Sequence, residues 1–468
     1  MFSDGEKKRR VEAVRGLMQD EKLDVLLTIG NGCVGTNAYG CFRFLTAANV
    51  YYGLQSALFF PCSNPVGIVD SEISCGELKN AGIVTECRIS TTPIQAIIDV
   101  LKESEITSGR LGTSLDILPQ SWRMALEREM PGLVLCDVSE PLFRIRNHHS
   151  PEEVALIRQC GKLADAGYAE VLKNVKPGMT EQQVAAELEH ATQGMGADYN
   201  FTLISTGRFS LEDNQLPCIR AATMFDCVVA HGDCISMEIT PRYNGYWTQL
   251  VRTISVGEPN EDFIKMHEVS CRIIKGALEE LKPGNRIGNI ATKLKQLTEE
   301  AGYVFSYPCG HICAIDLNEE RITPDNDRPL EEGMAVILHP SIITPKISSG
   351  IFWGQTYLIT KTGYECLMSC SDDLMSIQAY VDMIRELIVG VVFGYAAIIV
   401  ASYIPVVKRT GMTTSSLDIP QYILYYAMPV GFGLMVFWSI VNIVMDIKKI
   451  RNGDAGLDES DSVSMKTE

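Results

Sequence analysis

Two long stretches near the end of the chain contain no charged side chain, and they limit most strongly how it can fold. They run from Leu387 to Val407 and from Tyr422 to Met445. The first has 21 residues, and at about 1.5 Å per residue such a helix spans roughly 30 Å, the hydrocarbon thickness of a bilayer. Both stretches exceed the usual length of helices buried in a soluble core, which is the alternative. The sequence therefore predicts a transmembrane hairpin within residues 385–450, joined by a polar loop from Lys408 to Asp418.

Basic residues around this hairpin predict its orientation. Arg385, Lys448, Lys449 and Arg451 lie outside the two stretches, against Lys408 and Arg409 in the loop. The excess of positive charge on the cytoplasmic side of membrane proteins favours both ends in the cytosol. We therefore expect a protein of the inner (cytoplasmic) membrane whose preceding domains face the cytosol, with an acidic, disordered tail at 451–468.

Composition excludes one class of partner and indicates a reducing compartment. The chain has 468 residues, enough for two or three domains, and a net charge of −17. Without a run of Lys and Arg to neutralise phosphates, nucleic acid is not an expected partner. The 15 cysteines are scattered through a large chain, and a charged helix rather than an apolar signal region comes first. Reduced cytosolic thiols are expected.

Residues 1–145 alternate between helical and strand patterns. An amphipathic pattern from Lys7 to Lys22 predicts a helix, and Asp24–Ile29 predicts a buried strand. Short apolar runs at Ala57–Phe60 and Val66–Val69 are bounded by turn residues. Such alternation is typical of an α/β domain with a central sheet.

Residues 146–374 mix helices with antiparallel hairpins, which predicts an α+β domain. It opens at a strong helix start, where Ser150 caps the helix, Pro151 fits the first turn and Glu153 completes a capping box. Further helices are predicted at 180–194, 260–281 and 286–302, and strands near 202–206, 234–240, 246–256, 335–339 and 355–360.

One hairpin of this domain brings two polar residues together. Asn244-Gly245 is a strong signal for a two-residue turn between alternating strands. In that register Gln249 lies opposite Thr240, and Glu238 is its diagonal neighbour on the same face. Taken alone, this pair would be interpreted as part of a solvated outer face rather than as a site.

Motifs around the hairpin give the domain a resemblance. They are Phe143–Arg146, Ser150–Arg158, Gly232-Asp233, Glu238, Tyr246, Arg252-Thr253, Gly310-His311, Leu330–Pro340 and Gln355–Glu365. In order and spacing they resemble the creatinase/aminopeptidase P/prolidase family, over residues of about 5–374. The resemblance implies a creatinase-type α/β N-terminal domain followed by a "pita-bread" catalytic domain.

The metal-ligand positions of that family are altered here. Metal-binding members carry two aspartates, one histidine and two glutamates as ligands. The resemblance places Glu238, Gln249, His311, His339 and Gly354 at those positions, with Gln355 in place of a flanking aspartate. One carboxylate cannot offset two divalent cations, so a dinuclear peptidase centre is not expected.

Three functions remain open. The favoured one is metal-independent hydrolysis of a C–N bond in a small nitrogenous compound, as in creatinase and ectoine hydrolase, with no cofactor. Glu238 would then be the base or nucleophile and His311 a proton carrier near neutral pH. His339 would orient the substrate or share the proton transfer. In the second, the same three residues hold a single divalent metal, as in a reduced Xaa-Pro-type metallopeptidase. In the third, the domain only binds a solute.

Other residues receive roles from the resemblance. Gln249, Gln355, Arg252 and Arg43 are candidate substrate-binding residues, Arg43 because family dimers border one subunit's site with the partner's N-terminal domain. Cys309 and Cys313 flank His311 on one predicted face, either as a soft-metal site or as small buried thiols. Asn318-Glu319 replaces a His-Glu pair, and Cys218 or Arg220 lies where a substrate-side histidine is expected.

The apolar end of the chain carries a second resemblance. Residues of about 385–450, and Leu417–Gly433 most clearly, are similar to the second half of the small membrane subunit of TRAP dicarboxylate transporters. That subunit has four spans and this chain has two, so transport by this chain alone is not implied. The favoured role is an anchor in the lipid membrane, and the alternative is docking to the large membrane subunit of such a transporter.

Overall fold

The computed structural model describes residues 2–32, 35–37, 40–50, 53–211, 227–377, 380–411, 413–414 and 420–452. Cys218 and Arg220, and the predicted disordered tail after Asn452, lie outside these residues. The side chains of Arg385, Lys448, Lys449 and Arg451 are likewise outside the description.

The first part of the chain forms a mixed sheet covered by helices, as the alternating pattern predicts. Its strands are β1 (Val25–Asn31), β2 (Leu54–Phe59), β3 (Val66–Val69), β4 (Glu86–Ile89), β5 (Ser108–Thr113) and β6 (Gly132–Asp137), in the order β4-β3-β2-β1-β5-β6. The helices are α1 (Asp4–Asp20), α2 (Gly40–Thr46), α3 (Glu72–Ala81), α4 (Pro93–Glu103), α5 (Gln120–Glu129) and α6 (Ser139–Asn147). β1 pairs with β2 in antiparallel and with β5 in parallel orientation, so the α/β class is confirmed.

The second part begins with the predicted capped helix. Ser150 and Glu153 form the capping box of α7 (Pro151–Asn174), which buries Ile157, Gly161 and Ala164 on one face. The other helices are α8 (Glu181–Gly194), α9 (Glu261–Ala277) and α10 (Ile287–Glu300). The helix predicted at 260–281 ends earlier than expected, in a single 3₁₀ turn at Leu278–Glu280.

Most strands of this part belong to one large sheet. They are β7 (Tyr199–Arg208), β8 (Asp233–Tyr243), β9 (Tyr246–Trp247), β10 (Leu250–Val256), β11 (Val304–Ser306), β12 (Gly310–Cys313), β13 (Glu320–Arg321), β14 (Ala335–Leu338), β15 (Ser341–Ile343), β16 (Gly350–Phe352), β17 (Gly354–Ile359), β18 (Tyr364–Cys366) and β19 (Ser376–Ile377). The central order is β13-β12-β14-β17-β10-β8-β7, while β11, β15 and β16 form a small separate sheet. The large sheet is antiparallel except for the pairing of β10 with β19.

A buried network of charges ties the two parts together. Arg10 of α1 is fully buried, and its guanidinium lies 2.9 Å from Glu153 of α7 and 2.7 Å from Glu6. The Tyr246 hydroxyl donates to Glu153 at 2.7 Å. Because each charge has partners, the network can hold α1 against the second sheet without an unpaired buried ion.

Two long helices end the described chain. They are α11 (Tyr380–Thr410) and α12 (Gln421–Asn452), and within them Leu387–Thr410 and Tyr425–Val444 are long and apolar enough to cross a membrane. Only 6% of each span is buried against the protein, and side chains such as Trp438 and Ile398 are exposed. The alternative of two buried core helices is therefore wrong, and the pair is a candidate membrane hairpin.

Candidate active site

The Asn244-Gly245 turn has the predicted geometry. Both residues have positive φ, at 48° and 87°, and Tyr243 pairs with Tyr246 across the turn. The strand predicted at 246–256 is interrupted between β9 and β10, because the Gln249 backbone N–H donates to the Thr356 hydroxyl at 2.8 Å instead of extending the ladder. The interruption leaves Gln249 at the centre of the sheet.

Arg43 supports this turn from the N-terminal part. It is 2% exposed, and its Nη2 donates to the Asn244 carbonyl oxygen at 2.5 Å and to Asn244 Oδ1 at 2.9 Å. Within this chain Arg43 therefore contacts the hairpin turn, and its role towards an anionic substrate in a partner subunit stays a prediction. Its guanidinium forms hydrogen bonds with Asn244 of the same chain. No sequence pattern indicates this contact.

Glu238 and Gln249 lie together as the hairpin register predicts. Gln249 Nε2 donates to Glu238 Oε1 and, at 3.1 Å, to the Thr240 hydroxyl. Glu238 is 7% exposed and Gln249 is fully buried. Gln249 Oε1 is buried without a hydrogen-bond partner, which makes it an acceptor available to a ligand. Thr240 was not singled out from the sequence, although the same register places it there.

Burial sets the proton affinity of Glu238. Desolvation raises the pKa of its carboxyl group to about 7, against a smaller lowering by the hydrogen bond from Gln249. A carboxylate in this range can accept a proton near neutral pH and release it again.

His311 on β12 and His339 after β14 form the second half of the site. Their ring centroids are 5.3 Å apart, and Phe352 packs against His339 at 5.2 Å. Burial lowers the pKa of His311 to about 4, and burial together with repulsion from His311 lowers that of His339 to about 3. At these pKa values both rings are neutral near pH 7 and Glu238 is the group that titrates there. The shifts do not favour the expected role of His311 as a proton carrier, which stays a prediction.

Sheet register puts the two halves on one face. Glu238 pairs with Val251, Val251 with Gly354, and the next position across from Gly354 is His339. His311 pairs with Ile337, two residues before His339 and on the same face. The Nδ1 atoms of both histidines are buried without a hydrogen-bond partner. The face therefore offers a carboxylate, an amide oxygen and two neutral imidazoles to a small ligand.

Gly354 lies where the backbone leaves no room for a side chain. A Cβ atom there would collide with the Leu338 carbonyl oxygen and lie 2.7 Å from His339 Cα. Both obstacles are backbone atoms, which cannot move aside as a flexible side chain does. The close packing of β14 against β17 therefore leaves no room for a ligand side chain at position 354.

Arg252 and Gln355 lie on the opposite face of the sheet. Arg252 is fully buried, its Nη2 donates to Gln355 Oε1 at 2.7 Å, and its guanidinium lies over the Trp353 ring at 4.1 Å. Tyr168 of α7 is on that side as well. Their assignment as substrate-binding residues is corrected, because adjacent strand residues point to opposite faces. That alternation is visible in the sequence, since Gln249 and Arg252 are three residues apart.

Metal ions do not fit this set of donors. Gln249 turns its amide N–H towards Glu238, Gly354 has no side chain, and a single carboxylate remains. In the described part of the chain no group of three or more His, Cys, Asp or Glu side chains could hold a metal ion, and this includes Glu238, His311 and His339. Cys309 and Cys313 instead donate to the carbonyl oxygens of Ile322 and Trp247, as buried thiols.

The segment after His311 joins the site to the N-terminal part. Arg146 of α6 contacts Glu319 and lies 3.0 Å from Asp316. The Asn318 backbone N–H donates to Asn37 Oδ1 at 3.1 Å. Asn318-Glu319 therefore serves at least as a contact between the two parts, which the sequence did not indicate.

Comparison with known proteins identifies both parts of the chain. The sequence model of metallopeptidase family M24 matches residues 155–361. The chain carries an M24 domain. The model of the DctQ component of tripartite ATP-independent periplasmic transporters matches residues 375–449, so a DctQ domain follows. Both resemblances seen in the sequence are confirmed.

Relatives of the M24 domain include two kinds of protein. A creatinase of Bacillus sp. is 28% identical over 278 residues, which cover 55% of this chain and 65% of that protein. An Xaa-Pro dipeptidase of Pyrococcus furiosus is 28% identical over 243 residues, covering 51% of this chain and 68% of that protein. The chain thus spans about two thirds of the length of these relatives.

Solved structures share the fold. An X-Pro aminopeptidase from Thermotoga maritima has a TM-score of 0.69 at 19% identity and covers 78% of this chain and 99% of its own. The prolidase from Pyrococcus horikoshii has a TM-score of 0.67 at 22% identity, with coverage of 78% and 99%. The pita-bread fold of the M24 domain, together with the preceding N-terminal part, is therefore confirmed.

Proposed function

We propose that the chain is a membrane-tethered hydrolase that cleaves a C–N bond of a small nitrogenous compound without a metal ion. The observation that carries this proposal is the pair Glu238–Gln249, which stands where M24 metal ligands are expected. An amide N–H there donates to the carboxylate that a metal would otherwise bind. The kinship with a creatinase supports the reaction class.

Each residue of the site has a separate role in the proposed reaction. Glu238 acts as general base towards water, or as nucleophile, because its pKa of about 7 leaves it largely ionised at slightly alkaline pH. Gln249 fixes the Glu238 carboxylate and offers Oε1 to an N–H group of the substrate. His311 and His339, both neutral, orient the substrate by hydrogen bonds through their unpartnered nitrogens.

The hairpin and the DctQ domain support a proposal for where the protein lies in the cell. We infer that the hairpin anchors the chain in the inner membrane with the M24 domain in the cytosol, and that it docks to the large membrane subunit of a TRAP transporter. An imported solute would then meet the hydrolase at its point of entry. By analogy with the family, the M24 part is expected to form a homodimer.

Activity should rise with pH through neutrality. Because the pKa of Glu238 is raised to about 7, the reactive carboxylate is lost as pH falls below that value. We expect kcat/KM, which reports the pKa of the free enzyme, to fall about tenfold per pH unit below that pKa and to level off above it. His311 and His339, with pKa values of about 4 and 3, add no further step near neutrality.

The measurement is turnover of a panel of guanidino compounds, cyclic amidines such as ectoine, and X-Pro dipeptides, at a series of pH values. Hydrolysis of a guanidino or amidine compound with this profile supports the proposal. Hydrolysis of X-Pro dipeptides alone contradicts the substrate class, and binding of panel compounds without any turnover indicates a solute-binding module.

Orientation can be tested with an exposed thiol of the N-terminal part. Cys62 is exposed, so a membrane-impermeant maleimide should label it in inverted inner-membrane vesicles and not in intact spheroplasts. Cys366 is exposed as well, so the labelling is done in a Cys366→Ser background, and its loss on adding Cys62→Ser shows that the signal comes from Cys62. Labelling of Cys62 in intact spheroplasts would place the M24 domain on the outer side of the membrane.

A further inference from the structure

Arg252 is a fully buried cation that touches the backbone beneath the site. Its Nη1 donates to the carbonyl oxygens of Val251, at 3.0 Å, and of Gly354, at 2.9 Å. These two residues lie between Glu238 and His339 in one row across the sheet. The guanidinium therefore links the strands that separate the carboxylate from the imidazole.

The link occurs where two central strands of the sheet share only a short ladder. β8 and β10 pair over six residues, whereas β10 and β17 pair at only two positions, Leu250 with Gln355 and Val251 with Gly354. Side chains replace the missing ladder, since Thr253 Oγ1 donates to the Phe352 carbonyl oxygen at 2.8 Å. With so short a ladder, the separation of the two strands depends on Arg252 as well as on backbone hydrogen bonds.

A segment that leads to the membrane holds Arg252 in turn. Residues 367–377, called the connector here, run from the end of β18 through β19 to the start of α11. Arg252 Nη2 lies 3.2 Å from Cys370 Sγ and 3.3 Å from Asp372 Oδ1, both in the connector. Asp372 is half-exposed, so it can be changed without opening the core.

We propose that Arg252 is a positioning residue that fixes the spacing of Glu238 and His339 from the opposite face of the sheet, and that Cys370 and Asp372 hold it in place. The segment that enters the membrane hairpin is thereby part of the support of the site. The inference rests on the proposed function only in taking Glu238 as the reacting group and His339 as a group that orients the substrate.

The test compares Asp372→Asn with Asp373→Asn in the full-length protein. Asp373 bears the same charge one residue further on, and its carboxylate contacts Ser371 rather than Arg252. We expect Asp372→Asn to lower kcat by about 10–100-fold, since a displacement of about 1 Å costs that much, with KM changed little. Asp373→Asn should leave both constants unchanged. Arg252→Lys keeps the positive charge but loses the planar set of guanidinium N–H donors. It should therefore reproduce the effect of Asp372→Asn.

A second readout needs no substrate. With ¹³C-labelled histidine, the His339 resonance, assigned through its absence in His339→Gln, should shift in Asp372→Asn and stay in Asp373→Asn. If this shift is seen and no panel compound is hydrolysed, the positioning role stands while the proposed function fails. Two results would overturn the proposal and make Arg252 merely structural. In the first, Asp372→Asn has the same His339 resonance and the same kcat as Asp373→Asn. In the second, Arg252→Lys lowers the melting temperature but changes neither kcat nor the resonance.

Discussion

Replacing Glu238 by glutamine is expected to lower kcat by about 10²–10⁴-fold, the usual contribution of a general base. The amide has the shape of the carboxyl group and can accept the hydrogen bond from Gln249, but it cannot take a proton from water or attack carbon. Because burial already disfavours the charged form of Glu238, the neutral amide should not lower the melting temperature. Steady-state kinetics and thermal unfolding of the purified chain measure the two effects.

The matched control is Glu258→Gln, an exposed glutamate in the turn after β10. It should leave kcat, KM and the melting temperature unchanged. That result would show that the lower kcat of Glu238→Gln does not follow from removing a negative charge in general. Retention of full turnover by Glu238→Gln would remove Glu238 from the chemistry. The histidines, neutral and hydrogen-bonding, would then have to be reconsidered as the reactive groups.

Replacing Gly354 by alanine is expected to destabilise the M24 domain. The added Cβ would meet the Leu338 carbonyl oxygen and lie 2.7 Å from His339 Cα. Overpacking against backbone costs typically about 1–3 kcal/mol and occasionally more. For a domain of this size, each kcal/mol corresponds to roughly 2–4 °C in melting temperature. Tryptophan fluorescence on heating can follow the change.

Gly363→Ala serves as the control for this prediction. A Cβ at Gly363 meets nothing within 4 Å, so the substitution should be neutral or slightly stabilising. The variant Gly354→Glu, which restores the acidic residue expected at this position in metal-binding relatives, should unfold at least as readily and should not gain a metal ion. A stable Gly354→Glu protein that binds metal would show that the strands can move apart, contrary to the packing seen here.

Local patterns predicted the parts of the site that depend on sequence neighbours. The Asn244-Gly245 turn fixes the register of its hairpin, and the register alone brings Gln249 to Glu238. The capping box at Ser150 likewise marks the start of α7 within its own first turn. In both cases the interacting residues lie within about a dozen positions, so no knowledge of the tertiary fold is needed.

What depends on distant parts of the chain was not predictable. Arg43 lies 201 residues from its partner Asn244 in the sequence, and no pattern in either segment predicts the contact. The pKa values of His311 and His339 follow from how deeply the folded sheet buries them, so their lowering could not be predicted from the sequence. The side of the sheet occupied by Arg252 could have been read from strand alternation, whereas its bond to Asp372 could not.

Metal content measured together with turnover tests the central claim most directly. The full-length protein is purified without added metal, analysed by inductively coupled plasma mass spectrometry, and assayed on its best substrate before and after treatment with a strong chelator. We expect no stoichiometric metal ion and no change of kcat on chelation, with turnover still abolished in Glu238→Gln. One or two tightly bound ions per chain, with activity lost on chelation and restored by adding the ion back, would contradict the account.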